Sequence, residues 1–169
     1  MTAGRVHLLY GLVGSGKTTL ARALCADGST VRFTLDEWMI RLYPALPFDS
    51  ADYGRQAEVV KDLIWSVAEQ VLRSGADVVL DWNSWSRARR AWALHRAAAV
   101  PAEVILHRLG ASVDQAAAWL AERARDPRAV YVHPIIRKGN EHLASIMEPP
   151  SEAEGFSIID ELPRAAASP

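Results

Sequence analysis

The segment Gly11-Leu12-Val13-Gly14-Ser15-Gly16-Lys17-Thr18 constrains this chain more than any other. A glycine, four residues and then Gly-Lys-Thr is the spacing at which a backbone can curl several N–H groups towards one set of phosphate oxygens. A helix starting at Lys17 adds the positive end of its dipole. The Lys17 ammonium can then reach terminal phosphates, and the Thr18 hydroxyl can ligate Mg²⁺. Such a loop has to join a strand to a helix, and its flanks agree. Arg5 to Tyr10 is a short apolar run suited to a strand buried on both faces, and Lys17 to Ala26 carries Leu20 and Leu24 at helical spacing. The expected phosphate-binding group is Gly11, Val13, Gly14, Ser15, Gly16, Lys17, Thr18 and Thr19.

Downstream, strand and helix patterns continue to alternate. Strands are expected over Thr30 to Leu35, Asp77 to Asp81, Glu103 to Leu109 and Phe156 to Ile159. Between them, Asp36 to Leu42 reads as a helical turn leading into a looser stretch to Asp52. Tyr53 to Arg73 reads as a helix with Val60, Leu63, Ile64, Val67 and Val71 on one face. Ser86 to Ala99 is a further helix. Ser112 and Gln115 make a capping-box pattern for a helix reaching about Arg125. Pro134 to Met147 also has helical character, weakened by Gly139-Asn140. The pattern predicts an α/β chain, its sheet parallel and covered on both faces. No linker or repeat divides it, so residues 1–162 are expected to form one domain, followed by a loose tail over 163–169.

Parallel α/β sheets gather ligands at the C-terminal ends of their strands, the edge where Gly11, Asp36 and Asp81 would meet. Asp81 follows Val78-Val79-Leu80, where a Mg²⁺-holding carboxylate belongs in this architecture; an acid capping the next helix is the plainer reading. Asp36 could aim or deprotonate a hydroxyl beside the phosphates, or could simply cap the short helix after it. Arg123, Arg125 and Arg128 cluster where Asp126-Pro127 ends a helix, placed either to meet phosphate charge or to face solvent. Arg87, Arg89 and Arg90 form a second such set. Trp38 and Trp82 could wall a small-molecule pocket, with Arg41 and Arg87 as further acceptor contacts beside Asp36. His7, inside the first strand, reads as a packed core histidine; His133, near Tyr131, is a weaker candidate for touching an acceptor.

The bulk composition excludes some partners. With 169 residues, 50% hydrophobic and 23% charged, the chain has an ordinary globular composition. Its formal net charge of -1 and the lack of a basic stripe disfavour long nucleic acid. No apolar run is long enough for a membrane span, so no membrane partner is expected. A lone cysteine, Cys25, and no signal-like start point to a cytoplasmic protein.

Four segments taken together, G-L-V-G-S-G-K-T-T-L, L-D-E-W-M-I-R-L, V-V-L-D-W-N-S-W-S-R and A-E-R-A-R-D-P-R, resemble the small P-loop kinases. The similar group includes chloramphenicol phosphotransferase-like, zeta-toxin-like and polynucleotide-kinase-like proteins, whose AAA-type ATP-binding domain spans about residues 5 to 130 here. The resemblance implies a three-layer fold with a five-stranded parallel sheet, ATP and Mg²⁺ as cofactors, Asp36 as base and Asp81 as the third-strand acid. It also implies a short lid over about 121–134 in which Arg123 and Arg125, with Arg128, meet the phosphates. The expected activity is transfer of the ATP γ-phosphate to a hydroxyl of a small molecule, a metabolite or an antibiotic. Two alternatives stand beside it: a nucleotide-sensing ATP-binding protein without transfer chemistry, and a kinase of nucleotides or RNA ends. The chain is shorter than zeta-like toxins, lacks an Asn-Lys-x-Asp guanine-reading motif, and leaves the acceptor and the oligomeric state open.

Overall fold

The computed structural model describes residues 3–125 and 137–162. Five strands form one parallel sheet: β1 (Val6–Tyr10), β2 (Thr30–Phe33), β3 (Asp77–Asn83), β4 (Val104–Leu109) and β5 (Ser157–Glu161), in the order β2-β3-β1-β4-β5. Among the described residues six helices connect and cover them: α1 (Lys17–Leu24), α2 (Leu35–Leu42), α3 (Ala51–Arg73), α4 (Arg87–Ala98), α5 (Val113–Arg123) and α6 (Arg137–Ile146). This is the expected α/β architecture with its five-stranded parallel sheet. None of the described helices is long and apolar enough to cross a membrane.

The central strands β1, β3 and β4 carry buried residues on both faces. One face packs Val6, Leu8, Val78, Leu80 and Leu106 against Met39 of α2, Ile64 and Leu72 of α3 and Ala93 and Ala97 of α4. On the other, Leu9 and Val79 pack against Ala21 of α1. Burial of such aliphatic side chains contributes about 1.5–3 kcal/mol each, so the P-loop strand is among the most firmly held parts of the chain.

Three local features differ from the sequence expectations. β2 stops at Phe33, and α2 starts at Leu35 with Thr34 at its N-cap. Leu35 is buried, so the chain turns into helix one residue before Asp36, which lies in the first turn and does not cap it. On α3 the buried residues are Ala57, Val60, Lys61, Ile64, Trp65, Ala68 and Leu72, whereas Leu63 and Val67 are exposed. Apolar side chains surround this helix, and the stripe with two alanines is the one that lets it approach the sheet. Third, β3 continues past Asp81 to Asn83 through an irregularity: Leu8 pairs with Leu80 but Leu9 pairs with Asn83. The expected helix cap at Ser112 is present, with the full capping box to Gln115.

Across the sheet runs a buried polar chain. Asp77 Oδ2 on β3 lies 3.5 Å from His7 Nε2 on β1. His7 Nδ1 is 2.9 Å from His107 Nε2 on β4, whose Nδ1 is 2.6 Å from Glu161 Oε1 on β5. His7 is thus the packed histidine expected from its strand, with its hydrogen bonds supplied by neighbouring strands.

Candidate active site

The turn between β1 and α1 has the backbone that its glycines imply. Gly14 and Gly16 have φ of +88° and +100°, left-handed values that side chains disfavour. Gly14 is needed a second time for space. A Cβ there would lie 2.6 Å from Leu120 Cγ and 2.7 Å from the Ala116 carbonyl oxygen, because α5 presses on the loop. From the far side of the sequence Asn140, wholly buried on α6, clamps Val13. Its Oδ1 accepts from the Val13 N–H at 3.0 Å and its Nδ2 donates to the Val13 carbonyl at 2.8 Å. Asn83 Nδ2 donates to the Gly11 carbonyl at 2.9 Å.

Lys17 Nζ donates to the carbonyls of Gly11 and Leu12, at 2.9 and 2.7 Å. Burial pulls its pKa down to about 8, while Asp81 and Asp36 favour the charge. The ammonium is therefore stored inside its own loop, two weak neutral acceptors away from full compensation. Thr18 Oγ1 donates to Asp81 Oδ1 at 3.3 Å, and Asp81 is itself buried at the irregularity of β3. Such irregularities commonly re-aim a side chain beside a site. Its other oxygen, Oδ2, accepts from Arg32 Nε at 2.7 Å, and Arg32 Nη2 also reaches Glu37 Oε1 at 2.9 Å.

These groups open onto a cleft of about 480 Å³. Besides the loop, Arg22, Leu120, Arg123 and Leu143 line it, together with Asp36, Phe48, Tyr53, Glu58, Trp85 and Arg89. Asp36 is half-buried on the first turn of α2, and among the described residues its carboxylate is in no hydrogen bond or ion pair. Burial raises its pKa, and repulsion from Asp81 adds to this, with Lys17 and Arg89 opposing. A carboxylate so placed can accept a proton.

The cleft brings together most of the candidate residues, but not all. Gly11 and Val13 to Thr18 form the loop, with Thr19 behind them in α1, and Asp36, Asp81, Trp82 and Arg123 line the cleft. Trp38 does not; it packs edge-on against Phe33, 6.4 Å between centroids, and joins the core. Arg41, in the last turn of α2, and Arg87 are exposed and away from the lining, and the Arg87 N–H instead binds Glu148 Oε2 at 2.7 Å. Arg125 is exposed beyond α5 and not among the lining residues. Arg128, Tyr131, His133 and most of the expected lid lie outside the described residues. Conversely, Arg32, Tyr53, Glu58, Asn83 and Asn140 were missed. Only Asn140 gave a signal, as a polar residue beside a glycine in an otherwise helical stretch.

The donor set fits a nucleoside phosphate with Mg²⁺. Ser15 Oγ, inside the phosphate loop, is buried with no hydrogen-bond partner among the described residues, as is Asn83 Oδ1. The Thr18 hydroxyl and the Asp81 carboxylate are hard oxygen ligands of the kind Mg²⁺ combines with substrate phosphates.

A family profile, the AAA domain, matches residues 6–134, and the chain belongs to that family. Sequence comparison with curated proteins finds no match. Among solved structures, Chaetomium thermophilum Kti12 in complex with ADP-AlF3 is similar with a TM-score of 0.65 at 20% identity, covering 92% of this chain and 88% of that one. A fungal RNA kinase gives 0.65 at 13% identity over 99% and 79% of the two chains. A gluconokinase from Sinorhizobium meliloti 1021 gives 0.56 at 16% identity over 99% and 85%. At these identities the likeness is one of fold, and that fold is the small P-loop kinase fold.

Proposed function

We propose that this protein is an ATP- and Mg²⁺-dependent kinase that phosphorylates a hydroxyl of a small molecule. The observation that carries the reading is Asp36, an unpaired, half-buried carboxylate across the cleft from the phosphate loop. A nucleotide sensor needs the loop, but it has no use for a carboxylate kept free of partners beside it. Fold neighbours that are themselves named as kinases support the same reading.

In this proposal Thr18 and Asp81 would hold Mg²⁺, which would supply charge neutralisation for the nucleotide phosphates. The loop N–H groups from Val13 to Thr18 bind those phosphates. Lys17 leaves the carbonyls of Gly11 and Leu12 for a full negative charge, a stronger partner in the same buried setting. Asp36 accepts the hydroxyl proton of the acceptor and aims its lone pair at the phosphorus. Arg123, at the end of α5, steadies the transferring group, with Arg125 and Arg128 as further candidates. Trp82 gives the acceptor side an apolar wall.

The test is ADP release from Mg-ATP, with phosphate gain by the acceptor read by mass, over a panel of hydroxylated metabolites, antibiotics and a short 5′-hydroxyl oligonucleotide. Transfer to a small molecule by the wild type, lost in Asp36→Asn, supports the proposal. Transfer to the oligonucleotide alone would move the acceptor to nucleic-acid ends. ATP binding with transfer to nothing would leave a nucleotide sensor.

A further inference from the structure

Charge pairing inside the cleft is uneven. Arg32 is taken up by Asp81 and Glu37. Lys61 donates to both oxygens of Glu58, at 3.1 and 3.0 Å, and sits 4.7 Å over the ring of Trp92. Lys17 belongs to the phosphate loop, Arg22 lies on α1, the helix that this loop opens, and Arg123 ends α5, which packs on the loop. Arg89 remains. It lies in the first turn of α4, lines the cleft close enough to Asp36 and Glu58 to feel their charges, and among the described residues makes no ion pair. Its guanidinium lies 5.5 Å from the ring centroid of Trp85, and among the described residues its one hydrogen bond is a stretched one, Nη1 to the Asn83 carbonyl at 3.5 Å.

We infer that Arg89 binds an acid group of the acceptor, so that the substrate is a compact molecule with a hydroxyl at one end and a carboxylate or phosphate at the other. The inference rests on the kinase reading for the hydroxyl and adds the class of molecule that carries it. A half-buried guanidinium forgoes part of its hydration, and a bare aromatic face and one long hydrogen bond return little of it. A carboxylate or phosphate would return it fully, since its two oxygens match the planar fork of N–H donors. Burial lowers the pKa of Arg89, with Glu58 and Asp36 opposing. Those two acids also limit the ligand. An acceptor with acid groups at both ends would place one of them against Asp36, so the hydroxyl end has to be uncharged. The rival role for Arg89, contact with the transferring phosphoryl group, predicts no preference among acceptors.

The experiment separates binding from transfer. With the phosphate loop filled by Mg-AMP-PNP, tryptophan fluorescence is titrated with three pairs: gluconate and glucose, ribose 5-phosphate and ribose, adenosine 3′-monophosphate and adenosine. Trp85, under the guanidinium, is the expected reporter. In the wild type at least one charged member should bind about tenfold or more tightly than its neutral partner, and Arg89→Gln should abolish that preference. Arg89→Lys, which keeps the charge but not the fork, should retain part of it. Unchanged AMP-PNP affinity in both variants shows that the fold is intact. Equal binding of charged and neutral members, no binding of any charged member, or a preference that survives Arg89→Gln would overturn the inference. A charged ligand that binds through Arg89 but gains no phosphate when Mg-ATP replaces Mg-AMP-PNP would leave the assignment standing and count against the kinase reading instead.

Discussion

At the scale of single residues, Asp36 and Asn140 make the sharpest claims. Replacement of the Asp36 carboxylate by an amide keeps its size and removes its basicity. Asp36→Asn should therefore lower turnover by about 10²–10⁴-fold with nucleotide affinity nearly unchanged. Because burial raises the Asp36 pKa, the wild-type rate should fall on acidification at a pH above that expected for an exposed aspartate, about 3.9. Equal turnover of mutant and wild type would remove Asp36 from the chemistry. Asn140 acts one step away, through the backbone of Val13. In Asn140→Ala two buried hydrogen bonds vanish, which costs about 1–3 kcal/mol, and the better helix propensity of alanine offsets only about 0.6 kcal/mol. Urea unfolding should record the net loss, and Mg-ATP should bind more weakly to a loop no longer held in its curl.

Between elements, Arg90 makes a tie outside the sheet with four hydrogen bonds. It is wholly buried, and its guanidinium grips Glu154 with two hydrogen bonds, at 2.8 and 3.0 Å. It also donates to the carbonyls of Ser84 and Glu148, at 3.1 and 3.0 Å. One side chain on α4 thus fixes the segment that leads into β5. Arg90→Ala should destabilise the fold by about 3 kcal/mol or more, because Glu154 loses its charged partner and two carbonyls lose a donor together. A melting temperature near that of the wild type would show that the segment is held by other means. Legibility follows the same division. The order of strands and helices was readable because each has its own apolar period, and the phosphate loop because its spacing is dictated by backbone geometry. Arg89 and Arg90 are adjacent in one basic run, yet one lines the cleft and the other is sealed beneath it. Nothing in the run itself says which is which. That depends on the first turn of α4 and on where Glu154 arrives from 64 residues away. For the same reason Leu63 and Val67 could not be told from Ala68 and Leu72 before the packing of α3 was known.

On the scale of the whole molecule, the polar chain Asp77–His7–His107–Glu161 ties four of the five strands through a buried layer. Burial lowers the His7 pKa, and the neighbouring His107 lowers it further, so the fold favours neutral imidazole. The unfolded chain takes up that proton near pH 6.5 while the folded one does not. Stability is then fully present above about pH 6.5 and is lost as the pH falls from there towards the lower folded value. The loss is about 1.4 kcal/mol for each tenfold reduction in proton affinity. Melting followed from pH 8 to 5 should show this slope for the wild type, and a shallower one for His7→Gln. Equal slopes would assign the acid sensitivity to other groups.

The strand order has a further consequence in time. Val6 of the central strand pairs with Val78 on one side and Val104 on the other, so the earliest of the five strands is completed by two that come much later in the chain. At ordinary translation rates the interval before β4 emerges is roughly 5–20 s, during which Val6, Leu8 and Leu9 have no permanent cover. The phosphate loop follows that strand directly, yet the clamp on Val13 arrives only with Asn140, so the loop gains its full support late in synthesis.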